Sequence, residues 1–370
     1  MANSISIDAL RQELWSKDLL DDVQRDVEGV FQFMGEGANN VIQVSRELAK
    51  RKGDAETFGL VARLSGNGVT GDDELEGNEE SMLSYSEQVA IDQIRNAVRL
   101  KGKLDAQKTV YDQISSAREN LRMWMKQYLA QQIMFKLGGV TNTTLVDVNG
   151  DALIGSPTWS NTPDFIPDAD EAAGVGNRYL CVDTGGTDAL TAGTDTMTLD
   201  FVTKAATKAK LANPKIQPID FGNGDSGYVM YVHPLQARDL RISSDWKTAQ
   251  ENAKQRGDKN PVFRGALGYW SNVLLLENEF VPFLDISVAG NSFRGAATGT
   301  DCTSDAARAL LCGRQAALMA EASNPEALVV KSFDFDNKEA VAVSYIGGLQ
   351  KAMFNSKEFG VIACDTAASA

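Results

Sequence analysis

The sequence predicts an α+β fold made of a protruding hairpin, one long helix and a set of strands late in the chain. Three observations carry that expectation. A strand-like stretch at residues 56–64 is separated from a second, beginning near residue 81, by a loop rich in glycine and acid. Residues 104–137 hold no Gly or Pro, and their apolar positions recur at three- and four-residue steps. The last third of the chain breaks into short apolar runs separated by turn residues, which is a strand pattern.

Taken in order, residues 7–34 read as one or two amphipathic helices, and VIQVSRELAKRKGD (41–54) as a short helix closed by Gly53. ETFGLVARL, the acidic loop and SMLSYSEQVAIDQIRNAVRL make strand, long loop and return strand. In residues 104–137, Val110, Ile114, Ala117, Leu121, Met125 and Tyr128 form one apolar stripe, and Gly138-Gly139 ends the helix. At 1.5 Å per residue it spans about 50 Å, a length suited to a spine under a sheet. Residues 141–200 turn to Asn, Thr, Asp and Gly, with Asn149-Gly150 as a type I′ hairpin signal. LDFVTKAATKAKLA then reads as helix, GYVMYVHP as strand, and LQARDLR and DWKTAQENAKQRG as helices. SNVLLLENEFVPF, ARALLCGRQAALMAE, EALVVKSFDF and, after the Asp336-Asn337 turn, EAVAVSYIGGLQKAMFN read as strands. No internal repeat is present.

Composition narrows the function classes. At 370 residues, with 43% hydrophobic and 23% charged residues, the chain is of ordinary globular type and long enough for about two domains. A formal net charge of −14 disfavours a surface that neutralises nucleic-acid phosphates, or one that docks on an anionic membrane. The first 36 residues carry eight acids against three bases, so they are no basic genome-binding arm. No apolar run reaches the roughly 18 residues of a membrane span, and the start lacks the pattern of a signal peptide. Cys181, Cys302, Cys312 and Cys364 show no framework spacing and are expected to be reduced thiols of a cytosolic protein.

The chemical motifs weaken on inspection. Gly66-Asn67-Gly68-Val69-Thr70-Gly71 spells G-x-G-x-x-G, but a dinucleotide site needs a helix opening at its last glycine. The next nine residues instead hold Asp72, Asp73, Glu74, Glu76, Glu79 and Glu80, which would repel a pyrophosphate. A calcium loop starting at Asp72 fails because its twelfth position is Leu83, and Asp147–Asp151 fails at its sixth, Ala152. His233, the single histidine, lies at a strand end before Pro234 and reads as a backbone-bonded residue. No nucleophile, base and orienter set emerges, so no enzyme, cofactor or metal is expected. Two runners-up remain on these loops: a nucleotide-dependent enzyme using Gly66–Gly71, and a calcium-binding surface protein.

The acidic loop has a counterpart within the chain. Residues 247–264 hold Lys247, Lys254, Arg256, Lys259 and Arg264 against Glu251 and Asp258. An acidic tip and a basic patch on one chain suit a head-to-tail contact between copies, of the kind that closes rings or extends a lattice. The candidate intersubunit contacts are Asp72, Asp73, Glu74, Glu76, Glu79 and Glu80 on one side, and Lys254, Arg256, Lys259 and Arg264 on the other.

Several blocks together resemble the major capsid proteins of tailed double-stranded DNA bacteriophages, the N4-like group above all. They are GVTGDDELEGNEESMLSYSEQVAIDQIRNAV, the long helix ending in LGG, DLRISSDWKTAQENAKQRGDKNPVFRGALGYWSNVLLLEN, and the late YIGGLQKAMF. The resemblance covers most of residues 40–355. It implies the HK97-like capsid fold, with residues 1–53 as N-terminal arm and 54–103 as the extended E-loop. Residues 104–199 would be the peripheral domain with spine helix and variable loop, and 200–325 mainly the axial domain. Residues 326–370 would be return strands of the peripheral domain and a C-terminal tail.

The implied function is structural: hexamers and pentamers closing an icosahedral phage head around double-stranded DNA that is enclosed without sequence-specific binding. Implied partners are copies of the chain itself, with decoration or cement, portal and scaffolding proteins alongside and no membrane. The implied location is the virion, after assembly in the host cytoplasm. With Met1 at its start, the chain is expected to carry no removed scaffolding segment.

Overall fold

The described strands form two large sheets, of six and eight strands, and two two-stranded ones. The computed structural model describes residues 31–61, 68–71, 74–77, 79–82, 84–108, 112–139, 178–182, 190–212, 214–222, 225–253, 266–284, 304–326, 331–335, 337–354 and 357–368. The helices expected over residues 7–30 and the Asn149-Gly150 hairpin lie outside these.

Strands β1 (Met34–Gly35) and β2 (Ile42–Ser45) come first, followed by a single helical turn, α1 (Glu47–Lys50). Of the helix expected over residues 41–54, only Glu47–Lys50 is helical, and Ile42–Ser45 before it is a strand. Ile42 and Val44 are buried while Gln43 and Ser45 are half-exposed, a period of two that lets β2 pair in parallel with a strand from residues 317–320.

Next come β3 (Ala55–Val61) and β4 (Ser84–Ala90), paired antiparallel from Ala55 opposite Ala90 to Val61 opposite Ser84. The expected hairpin is formed. Beyond β5 (Asp92–Arg99), the long helix is in two pieces, α2 (Lys103–Lys108) and α3 (Gln113–Gly138). The break has a local cause. Asp112 is extended (φ −70°, ψ 108°) and its carboxylate accepts the Ile114 N–H, so it caps a new helix instead of continuing the old one. At 26 residues α3 is about 39 Å long. It ends where Gly139 takes the left-handed conformation, with its N–H on the carbonyls of Phe135 and Lys136.

Strands β6 (Tyr179–Cys181) and β7 (Ile219–Gly222), which the sequence did not announce, flank the expected α4 (Leu199–Leu211), and the expected β8 (Asp225–Val232), α5 (Pro234–Ile242) and α6 (Ser244–Ala253) follow. Strands then dominate: β9 (Ala266–Trp270), β10 (Val273–Glu277), β11 (Phe283–Leu284), β12 (Ala306–Cys312), β13 (Ala317–Glu326) and β14 (Lys331–Phe333). The last are β15 (Lys338–Lys351), β16 (Met353–Phe354), β17 (Lys357–Glu358) and β18 (Val361–Ala367).

One sheet runs β1-β2-β13-β15-β14, with β5 also on β15; the other runs β6-β18-β12-β8-β10-β9, with β7 and β11 at its sides. Helix α3 contributes Leu121, Met125, Leu129 and Ile133 to a core that also takes Met319 and Tyr345 from the first sheet and Tyr231 and Leu310 from the second. The far face of the second sheet is covered by Phe201, Val202 and Ala205 of α4, Leu240 of α5 and Trp246 of α6. Strands β12 and β18 are therefore buried on both faces, which is why ARALLC and VIACDTA are mostly apolar without alternation, their charged members Arg308 and Asp365 being paired with each other.

Late strands divide between the sheets. Strands β13 and β15 join the first, and β18 pairs with β12 in the second.

Candidate subunit-contact site

The hairpin β3–β4 is held at its base. Phe58 and Val89, 7% and 0% exposed, pack with Leu318, Ala320, Ala352 and Phe354. Burying two such side chains contributes roughly 1.5–3 kcal/mol each. Polar bonds reinforce the apolar anchor. Ser45 donates to the Glu56 carboxylate, Gln350 Nε2 donates to Glu87 Oε1 at 2.6 Å, and the Ile91 N–H reaches the Asp54 carbonyl at 3.0 Å. Burial pushes the Glu87 carboxyl above its usual range, and the Gln350 hydrogen bond opposes that rise. Gly348 of β15 lies against the end of β4. A Cβ there would stand 2.1 Å from the Ala90 carbonyl oxygen, so only glycine lets β15 pass so close.

Toward the tip the surface is acidic and partly apolar. Glu74, Glu76, Glu79 and Glu80 are exposed, as are Val61, Leu75 and Met82 at 59%, 61% and 71%. Gly68, Gly71 and Gly77 have φ of +66°, +72° and +92° with open space where a Cβ would go, so they set backbone direction without packing. The Gly77 N–H is taken by Glu79 Oε2 at 2.8 Å. None of the described residues between 68 and 82 is helical, so the helix a dinucleotide fingerprint requires does not open at Gly71.

Of the ten predicted contact residues, the structure places only these four glutamates. Asp72, Asp73, Lys254, Arg256, Lys259 and Arg264 lie outside the described residues. Lys247 is exposed on α6, away from the hairpin in sequence and sheet. Among the described residues no group of three or more His, Cys, Asp and Glu side chains is placed to hold a metal ion, and no helix is long and apolar enough to cross a membrane.

His233 is the N-cap of α5. Its Nδ1 accepts the Leu235 N–H, Gln236 Oε1 accepts the His233 N–H, and its ring stacks on Phe283 at 5.3 Å. It therefore has the backbone role read from the sequence. Burial lowers its pKa to about 4, so it is neutral near pH 7.

Two buried ion pairs and one partly exposed pair escaped sequence reading. Arg308 grips Asp365 through two 2.8 Å bonds, Lys351 Nζ lies 2.9 Å from Glu358 Oε1, and Arg46 Nε lies 2.7 Å from Glu321 Oε2. Each joins segments distant in sequence or turned by a break, so no local pattern announces it.

The model of the family described as "Phage capsid protein" matches residues 3–370. The major capsid protein of Pseudomonas phage KPP25 is 29% identical over 345 residues, 89% of this chain and 88% of that one. The capsid of Ralstonia phage GP4 superposes with a TM-score of 0.75 at 29% identity, covering 94% of this chain and 92% of its own. The capsid asymmetric unit of Cyanophage Pam1 superposes at 0.71 with 24% identity over 93% of each chain, a likeness of fold.

The fold is the HK97-like fold of phage capsids. The chain belongs to the phage capsid protein family, and its role is that of a major capsid protein of the phage head, structural and not enzymatic.

Proposed function

We propose that copies of this chain form hexamers and pentamers that close an icosahedral shell around double-stranded DNA, with the β3–β4 hairpin reaching onto a neighbouring copy. The single observation that carries this reading is the hairpin itself. Its base is buried in the subunit core, while its tip presents four described glutamates and exposed Leu75 and Met82 to the outside. A basic and apolar surface of another copy complements such a tip. The receiving surface proposed is the basic segment with Lys254, Arg256, Lys259 and Arg264.

In this reading residues 1–53 are the arm, 54–103 the E-loop, 104–199 the peripheral domain and 200–325 mainly the axial domain. Of the late strands, β13 and β15 serve the peripheral sheet and β18 the axial one. The excess of acid suits a container that does not grip its genome. Decoration or cement, portal and scaffolding proteins are proposed partners, the host cytoplasm the site of assembly, and the N4-like phages the nearest group.

Sedimentation of the purified protein tests the reading. Fast-sedimenting closed particles support it. Material that stays as monomers and small oligomers across salt and crowding conditions overturns it.

A further inference from the structure

The β3–β4 hairpin is a two-stranded sheet of its own. Among the described residues it shares no ladder with either large sheet, so side-chain contacts carry much of its attachment. Part of its seat comes from the crossover that takes the chain from β15 in the first sheet to β18 in the second. There β16 and β17 pair as a short hairpin, with Met353 opposite Glu358 and Phe354 opposite Lys357. Ala352 and Phe354, both buried, share one apolar cluster with Phe58 and Val89 of the β3–β4 hairpin. Phe359 packs at the margin of that cluster and meets Phe354 edge-on, ring centroids 5.4 Å apart.

Buried polar groups close the base of the crossover. Lys351 Nζ and Glu358 Oε1 are 2.9 Å apart, their side chains only 4% and 2% exposed. The buried Arg178 donates from Nε and Nη2 to the Glu358 carbonyl at 3.1 and 3.0 Å. Gln350, the residue before Lys351, donates to Glu87 of β4. The end of β15 is thus tied to the hairpin by one side chain and to the crossover by the next. A buried ion pair stabilises no more than apolar side chains of similar volume, because losing water from both charges offsets their attraction. What the pair does impose is one partner for each charge. Lys351 and Glu358 escape the cost of an uncompensated buried charge only when they meet, which fixes the crossover in one arrangement.

We propose that Lys351 and Glu358 are positioning residues for shell assembly: by locking the crossover they hold Phe354 and Phe359 against the hairpin base and so aim the hairpin tip at the neighbouring copy. The inference deepens the hairpin-contact reading above and rests on it. Neither residue touches the neighbour; both act through the two aromatic rings.

Amide exchange of the dissociated subunit, read beside shell yield, tests it in two variants. Lys351→Met combined with Glu358→Leu removes both charges and roughly keeps their volume; Phe354→Leu thins the seat and leaves the pair alone. In each, exchange across β3 and β4 should quicken about tenfold, with β12, β18 and the urea midpoint close to the parent's. The yield of closed shells should fall in both. Unchanged exchange in β3 and β4 in either variant would overturn the proposal. An equal rise in β12 and β18, or a double variant that does not fold, would make the pair a general prop and overturn it too. So would quickened hairpin exchange with undiminished shell yield. A parent protein that forms no shells would instead sink the assembly reading, while the exchange comparison would still decide whether the pair holds the hairpin in place.

Discussion

Arg308 and Asp365 face each other as register partners on neighbouring strands β12 and β18, joined by Nε–Oδ1 and Nη2–Oδ2 bonds of 2.8 Å each. Both side chains are almost completely buried, at 0% and 3% exposure. Arg308 Nη1 also donates to the Gly138 carbonyl at 2.9 Å, so one guanidinium ties the C-terminal strand to the end of the long helix. An orphaned helix carbonyl and a buried carboxylate are thereby satisfied together.

Breaking that pair by one partner leaves a buried charge uncompensated. Asp365→Ala is expected to destabilise the subunit by about 3–5 kcal/mol, while the double change Arg308→Met with Asp365→Leu recovers much of the loss. Urea unfolding of the dissociated subunit checks both. A loss below 1 kcal/mol for Asp365→Ala would show that the pair holds little.

Gly348 is the point of closest approach between β15 and the hairpin base. A methyl group there meets the Ala90 carbonyl oxygen, and neither strand is free to retreat. Gly348→Ala should therefore cost about 1–3 kcal/mol and loosen the hairpin, seen as faster amide exchange at residues 84–90. Gly59, with open space around its missing Cβ, should accept Ala with a much smaller effect on the same readouts.

His233 gives a pH dependence with a definite sign. Its folded pKa, about 4, lies below the usual 6.5, so the unfolded chain binds the extra proton first as pH falls. The stability it contributes is full above pH 6.5, declines between 6.5 and 4, and is gone below. The shift corresponds to about 3 kcal/mol. His233→Asn, which can still cap α5, should flatten that part of the difference in melting temperature between variant and parent across pH 4–7. Parallel curves would assign the acid sensitivity to other groups.

Much of the fold was legible because its signals are local. The α3 stripe from Ile114 to Tyr128, the acidic loop between two strands and the cap at His233 are each set by residues a few positions apart. What was misread or left unread depends on distant partners. VIQV looks like the opening of a helix until β13 arrives from residues 317–320 to pair with it. The destination of residues 361–367 is fixed by Ala309 opposite Cys364 and by Arg308 with Asp365, contacts spanning more than fifty positions. The helix break at Asp112 was readable in principle, since Asp is a strong cap, but an uninterrupted apolar stripe masked it. For the contact site, charge pattern alone identified the exposed glutamates.

Charge reversal probes the hairpin tip. Changing Glu74, Glu76, Glu79 and Glu80 to Lys should block assembly while leaving the subunit folded, since all four are exposed. Reversals among Lys254, Arg256, Lys259 and Arg264 should partly restore it. Each exposed pair contributes only about 0.2–1 kcal/mol, so the effect depends on repetition across the many contacts of a shell.

Electron microscopy of the purified parent protein beside the four-glutamate reversal puts both halves of the assembly reading to trial in a single comparison. The parent should show closed isometric shells and the reversed protein dispersed, folded subunits. Shells of equal yield from both would contradict the hairpin contact, and dispersed parent subunits under every salt and crowding condition would contradict assembly itself.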